Sequence, residues 1–197
     1  MKNIVITLLS LSVIVSCNQG KKETKDNKAV VADTVQQKFF PVTAYIKGEI
    51  FEIKSKGINP LLYTTQNNHT DSVWVKIENI DSAVSEFLHP VIDSVNLTNL
   101  FTEKSFLDQT INAITFTYEA KGPLPDSLKL RHWDVYLNPE TQKVKRVYLV
   151  KELDGGKMLQ LTWLSNQWCK IVSISTNKEG VSKVDKETKL TWDFLKK

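Results

Sequence analysis

The chain has 197 residues, 41% of them hydrophobic and 9% aromatic, with 26 Lys and Arg against 22 Asp and Glu and two Cys. That composition is too apolar and too evenly charged for a disordered chain, and too poor in Gly, Pro and Cys for a fibrous or disulfide-stapled one. One domain is the default, and no internal repeat argues otherwise.

The first element is an address. Lys2 supplies a positive n-region, Ile4 to Val15 (IVITLLSLSVIV) is an apolar stretch, and the small Ser16 precedes Cys17. Such a stretch rises only about 18 Å as a helix, against a hydrocarbon core of roughly 30 Å, so it reads as a signal h-region and not as a membrane span. The run Ile14-Val15-Ser16-Cys17 resembles the lipobox of bacterial lipoproteins. The resemblance implies that residues 1–16 are a signal peptide and that Cys17 is acylated and begins the mature protein. No later stretch approaches 18 apolar residues, so the lipid would be the sole membrane attachment.

Residues 17–38 read as a lipidated flexible tether: after Cys17 they hold five Lys against Glu23, Asp26 and Asp33, with no aromatic residue and no periodicity. As a random coil the tether spans roughly 25 Å. With the leader and tether set aside, residues 39–197 carry 20 basic and 19 acidic side chains. The body is nearly neutral, which removes the support for nucleic-acid binding. With Cys17 taken by lipid, Cys169 has no disulfide partner and is expected to be a small buried hydrophobe.

Within the body, Val42, Tyr45, Ile46, Ile50 and Ile53 follow helical spacing and predict an amphipathic helix over 42–54, with Pro41 in its first turn. A hairpin follows, Leu61 to Thr65 and Val73 to Ile77 around a polar turn from Gln66 to Asp71. Ile80, Ala83, Val84, Phe87 and Leu88 mark a second helix from Asp81, stopped by Pro90. Leu97 to Leu107 read as short helical turns. From residue 111 the period is two, and about six strands are expected, over 111–119, 129–137, 144–152, 157–164, 167–176 and 188–194. Asn138-Pro139-Glu140-Thr141, Asp154-Gly155-Gly156 and Ser165-Asn166 supply hairpin turns between them. The fold class is α+β: an antiparallel meander, able to curl into a half barrel, with two or three N-terminal helices on one face.

Chemistry-bearing residues are few. The three His, at 69, 89 and 132, fall in no HExxH pattern, and GxSxG, CxxC and a glycine-rich phosphate loop are absent. His132 and Asp134 share a strand face with Tyr136, with Glu152 or Asp154 within reach of the neighbouring strand; two ligands do not make a metal site, so no catalytic, metal-binding or cofactor-binding residue is assigned. Trp133, Trp163 and Trp192 lie in register with core positions, whereas Trp74 has the opposite parity to Val73, Val75 and Ile77 and should face outward. Trp74, His132 and Asp134 are the candidate surface site, since an exposed aromatic can stack on a sugar or anchor a partner.

Five of the eleven Asp precede Ser or Thr and then an apolar residue, at Thr34, Ser72, Ser82, Ser94 and Ser127. Helix caps and turns favour that order. It also resembles the Asp-Ser/Thr-apolar O-glycosylation acceptor of Bacteroidota envelope proteins, which makes these five residues candidate acceptors. At whole-chain level the lipobox, Lys-rich tether and single α+β body resemble the small lipoproteins of that phylum. The resemblance implies an outer-membrane location; Asn18-Gln19-Gly20-Lys21-Lys22 departs from the acidic surface-export signal, which points to the periplasmic face. The expected function is a non-catalytic binding or assembly module for an envelope protein, tethered by lipid. The alternatives are a carrier of an apolar, acyl-chain ligand, which needs a cavity between helices and sheet, and an enzyme, which needs a cleft gathering His132 and acids.

Overall fold

The computed structural model describes residues 38–193, which form one compact unit. The signal segment 1–16, Cys17, the tether up to residue 37 with Thr34, and Phe194 lie outside the described residues.

Helix α1 is Val42–Ser55, and the expected apolar stripe is its inner face: Val42, Ile46, Ile50 and Ile53 are buried. Its end is set by Gly57. At φ +66° Gly57 donates its N–H to the Lys54 carbonyl while Ile58 reaches back to the Ile53 carbonyl, the paired closure of a Schellman motif, with Ile58 packed against the core. Strands β1 (Leu61–Gln66) and β2 (His69–Trp74) form the expected hairpin, but the turn is tighter than the polar run suggests. Asn67 and Asn68 both take positive φ, 50° and 62°, so Gln66 pairs directly with His69 and the strand begins at 69 instead of 73.

The single helix expected from Asp81 is broken into a 3-10 turn (Ile77–Asn79), α2 (Ile80–Ala83) and α3 (Ser85–Leu88). Val84, at φ −113° and ψ 16°, interrupts the helical path, yet Ile80, Val84 and Phe87 still all face the core. The stretch read as helical turns holds β3 (Phe101–Asp108), an edge strand of which Phe101 alone is buried. The next strands fall close to expectation, β4 (Ala113–Ala120), β5 (Leu130–Leu137), β6 (Val144–Leu153), β7 (Lys157–Leu164) and β8 (Trp168–Thr176), whereas β9 (Ser182–Thr191) begins at Ser182 instead of 188.

The sheet among the described residues therefore has nine antiparallel strands and not six, in the order β2-β1-β9-β8-β7-β6-β5-β4-β3. Every consecutive pair is hydrogen-bonded except β2 and β3, and β1 closes on β9. This is the strand order of an up-and-down barrel that is left open between β2 and β3. Those two strands occupy opposite edges, eight strand spacings or about 38 Å apart measured along the sheet. The segment joining them crosses on the core side, where Ile80, Val84, Phe87, Ile92 and Leu97 enter the same cluster as α1 and the inner sheet residues. Phe87 packs edge-on against Trp163 of β7 at 5.3 Å, and Phe39 packs against Trp133 of β5 at 6.1 Å.

Candidate binding face

Alternation divides the sheet into two faces. The inner one is filled with large side chains: Trp133, Trp163, Tyr118, Phe87 and Phe101 are each less than 2% exposed. Tyr118 stacks on Trp133 with ring centroids 4.5 Å apart, and its hydroxyl accepts the Phe40 N–H at 3.1 Å. Burial pushes the Tyr118 hydroxyl well above the ordinary tyrosine value. Cys169 is part of this core, and burial pushes its thiol up as well, so it is a small apolar residue and not a poised nucleophile. Leu161 and Trp163, which a carrier would use to line its cavity, are instead packed to zero exposure.

No helix among the described residues lies over the outer face. Register places one row of side chains across all nine strands: Trp74, Leu61 and Thr191, then Trp168, Leu164 and Arg146, then Tyr136, Thr115 and Phe106. The next row includes Tyr63, Lys189, Lys170, Thr162, Tyr148 and Asp134. Both ends of the first row are open, with Trp74 61% and Phe106 52% exposed. Between them the aromatics are held by cations: the Arg146 guanidinium lies 4.0 Å over the Tyr136 ring and the Lys189 ammonium 4.9 Å over Trp168.

His132 and Asp134 are on this face with Tyr136. A register shift between Leu130 and His132 puts both Arg131 and His132 outward while Leu130 and Trp133 stay in the core. Asp134 accepts the Tyr136 hydroxyl at 3.2 Å, and His132 lies 5.9 Å from the Tyr148 ring. Burial, and next the Asp134 charge, raise the Tyr136 and Tyr148 hydroxyls above the ordinary tyrosine value. Glu152 and Asp154 do not join His132: Glu152 pairs with Arg131 at 2.7 Å and Asp154 with Lys129 at 2.5 Å. Trp74 is on the same face but at the far edge of the sheet, so the three candidate surface residues form no single cluster. Among the described residues no group of three or more His, Cys, Asp and Glu is placed to hold a metal ion, and no helix is long and apolar enough to cross a membrane.

A groove of about 420 Å³ lies on this face over β3, β4 and β5, walled by Phe106 and Tyr136 and floored by Thr115 and Thr117, with Asp108, His132 and Asp134 around it. Periodicity identifies the strands that build it but not their neighbours, so Thr115 and Phe106 carried no mark of a shared site in the sequence.

No protein-family model, curated protein or solved structure matches this chain. The groove and the outer face must therefore be read from their own chemistry. Of the Asp-Ser/Thr residues, Ser72, Ser82 and Ser127 are exposed and Ser94 is half-buried. One Asp has a turn-forming role: Asp93 accepts the N–H groups of Val95 and Asn96, both at 2.7 Å, and these bonds hold its carboxyl below the ordinary aspartate value.

Proposed function

We propose that the chain is a lipid-anchored lipoprotein of the bacterial outer membrane, facing the periplasm, and that it acts as a non-catalytic binding or assembly module whose recognition surface is the outer face of the sheet. The observation that carries this reading is the row from Trp74 to Phe106, in which aromatic and hydrogen-bonding side chains lie on a nine-stranded scaffold that no helix among the described residues covers. Rigid aromatics contribute contact area at little entropic cost, and a broad sheet holds them at fixed spacing. The filled interior favours recognition at this surface over carriage of an acyl chain between helices and sheet, because a ligand there would have to displace Trp133, Trp163 or Phe87.

The test is site-specific photo-crosslinking in cells. A photoreactive residue at position 168 or 148, on the outer face, should give discrete high-mass adducts. The same residue at position 51, where Phe51 is 69% exposed on α1, should give none. Adducts from position 51 alone, or equally from all three positions, would move recognition away from the sheet.

A further inference from the structure

We infer that the groove over β3, β4 and β5 is a binding site for a neutral sugar ring of a polysaccharide or glycoconjugate; the inference rests on the binding-module reading and gives it a ligand class. Three observations converge. The first is an unsatisfied polar group in the floor. Thr115 is 2% exposed, it lines the groove, and its hydroxyl has no hydrogen-bond partner among the described residues. A buried hydroxyl without a partner is a cost that native proteins seldom carry, and a ligand hydroxyl seated above it removes that cost.

The second is the spacing of the walls. Thr115 pairs directly with Phe106 on one side and with Tyr136 on the other, so the two aromatic residues are two strand spacings apart, about 9.5 Å. A ring held against two aromatic faces at ordinary contact distance needs about 7–8 Å between them. The short Thr115 side chain stands between them in the floor of the groove. Tyr136 is steadied from beside the groove by Arg146 and by its bond to Asp134, which suits a preformed wall.

The third is charge. Of the charged groups around the groove, Glu119 pairs with Lys104 and Arg131 with Glu152, while Asp108 accepts the Thr110 hydroxyl at 2.5 Å and Asp134 the Tyr136 hydroxyl at 3.2 Å. An anionic ligand would have to displace Glu152 from Arg131 beside the Asp108 and Asp134 carboxylates, whereas a neutral one need not. Asp134 and Thr117 stand along the rim as acceptors for ligand hydroxyls. An apolar ring face toward Phe106, with hydroxyls toward Thr115 and Asp134, is the amphipathic pattern of a pyranose.

The full-length chain in a detergent without a sugar head group tests this by saturation-transfer NMR against cellohexaose, maltohexaose, mannohexaose and chitohexaose, with choline and inorganic phosphate as charged controls. At least one oligosaccharide should show transfer to its ring C–H protons. Phe106→Ala should abolish it, and Thr115→Val should weaken binding by about three- to tenfold, the value of one hydrogen bond. Thr115→Val should leave the thermal midpoint unchanged or higher, because it replaces a buried unpartnered hydroxyl with a methyl group, so lost binding cannot be put down to misfolding. No transfer from any oligosaccharide, transfer unaffected by both substitutions, or a response to choline or phosphate alone would overturn the sugar assignment. Crosslinks from positions 168 and 148 alongside such a result would leave the binding-module reading standing.

Discussion

At the scale of single residues, Lys151 shows how a charge can belong to the core. It sits on the inner face of β6 with its side chain only 4% exposed, and its ammonium donates to the Glu86 carboxylate at 2.7 Å and also to the Glu86 carbonyl. The pair ties α3 to the sheet, where the short helix has few other polar anchors. Glu86 remains nearly half exposed, so the ionic part is screened and the backbone bond and the buried methylene stem matter more. Lys151→Ala is expected to destabilise the protein by about 2–3 kcal/mol in urea unfolding, because it opens a cavity and leaves the Glu86 carbonyl unpaired. Lys151→Met, which keeps the stem but also leaves the Glu86 carbonyl unpaired, should cost less, about 1–2 kcal/mol. Equal losses in the two variants would show that the ion pair, and not packing, holds α3.

At the scale of elements, α1 is placed by its ends as much as by its stripe. Near its start, the Thr43 hydroxyl accepts the Ile92 N–H at 2.8 Å, and the Thr43 N–H returns a bond to the Ile92 carbonyl at 3.1 Å. Farther along, the Tyr45 hydroxyl lies 2.6 Å from that of Ser165, and Glu49 accepts the Asn166 N–H at 2.8 Å, which seats the helix on the β7–β8 turn. Gly57 then turns the chain toward β1. Nothing lies within 4 Å of where a Gly57 side chain would begin, so Gly57→Ala tests the backbone alone. At φ +66° the substitution should cost about 1 kcal/mol, read as a shift of the urea midpoint with an unchanged slope. An unchanged midpoint would mean that the left-handed backbone at residue 57 costs alanine nothing.

At the scale of the whole molecule, the body described here has no membrane-spanning helix, so the proposed location depends on Cys17. Cys17→Ser should remove the protein from the membrane fraction or trap it as a precursor, since no thioether can form. A variant cleaved to mature size that stays with membranes after a carbonate wash would refute lipid anchoring. Among the described residues the segment from β2 to β3 and helix α1 cover one side of the sheet only, which leaves the other side to the proposed recognition surface.

What the sequence determined by itself is local. Period-two alternation located β4 to β8 within a residue or two, and helical spacing located α1, because a half-buried strand or helix writes its burial directly into its residue order. The inner positions of Trp133, Trp163 and Trp192 and the outward turn of Trp74 follow from the same parity. Edge strand β3 was illegible for the converse reason: beyond Phe101 it buries so little that Thr102, Glu103, Lys104 and Ser105 show no alternation. Only tertiary structure decided that β1 pairs with β9 across more than a hundred residues of chain, that the order stays open at β2 and β3, and that Phe106, Thr115 and Tyr136 stand side by side. Hydrogen-bond register between strands is a property of two segments at once, so no pattern within one segment can encode it.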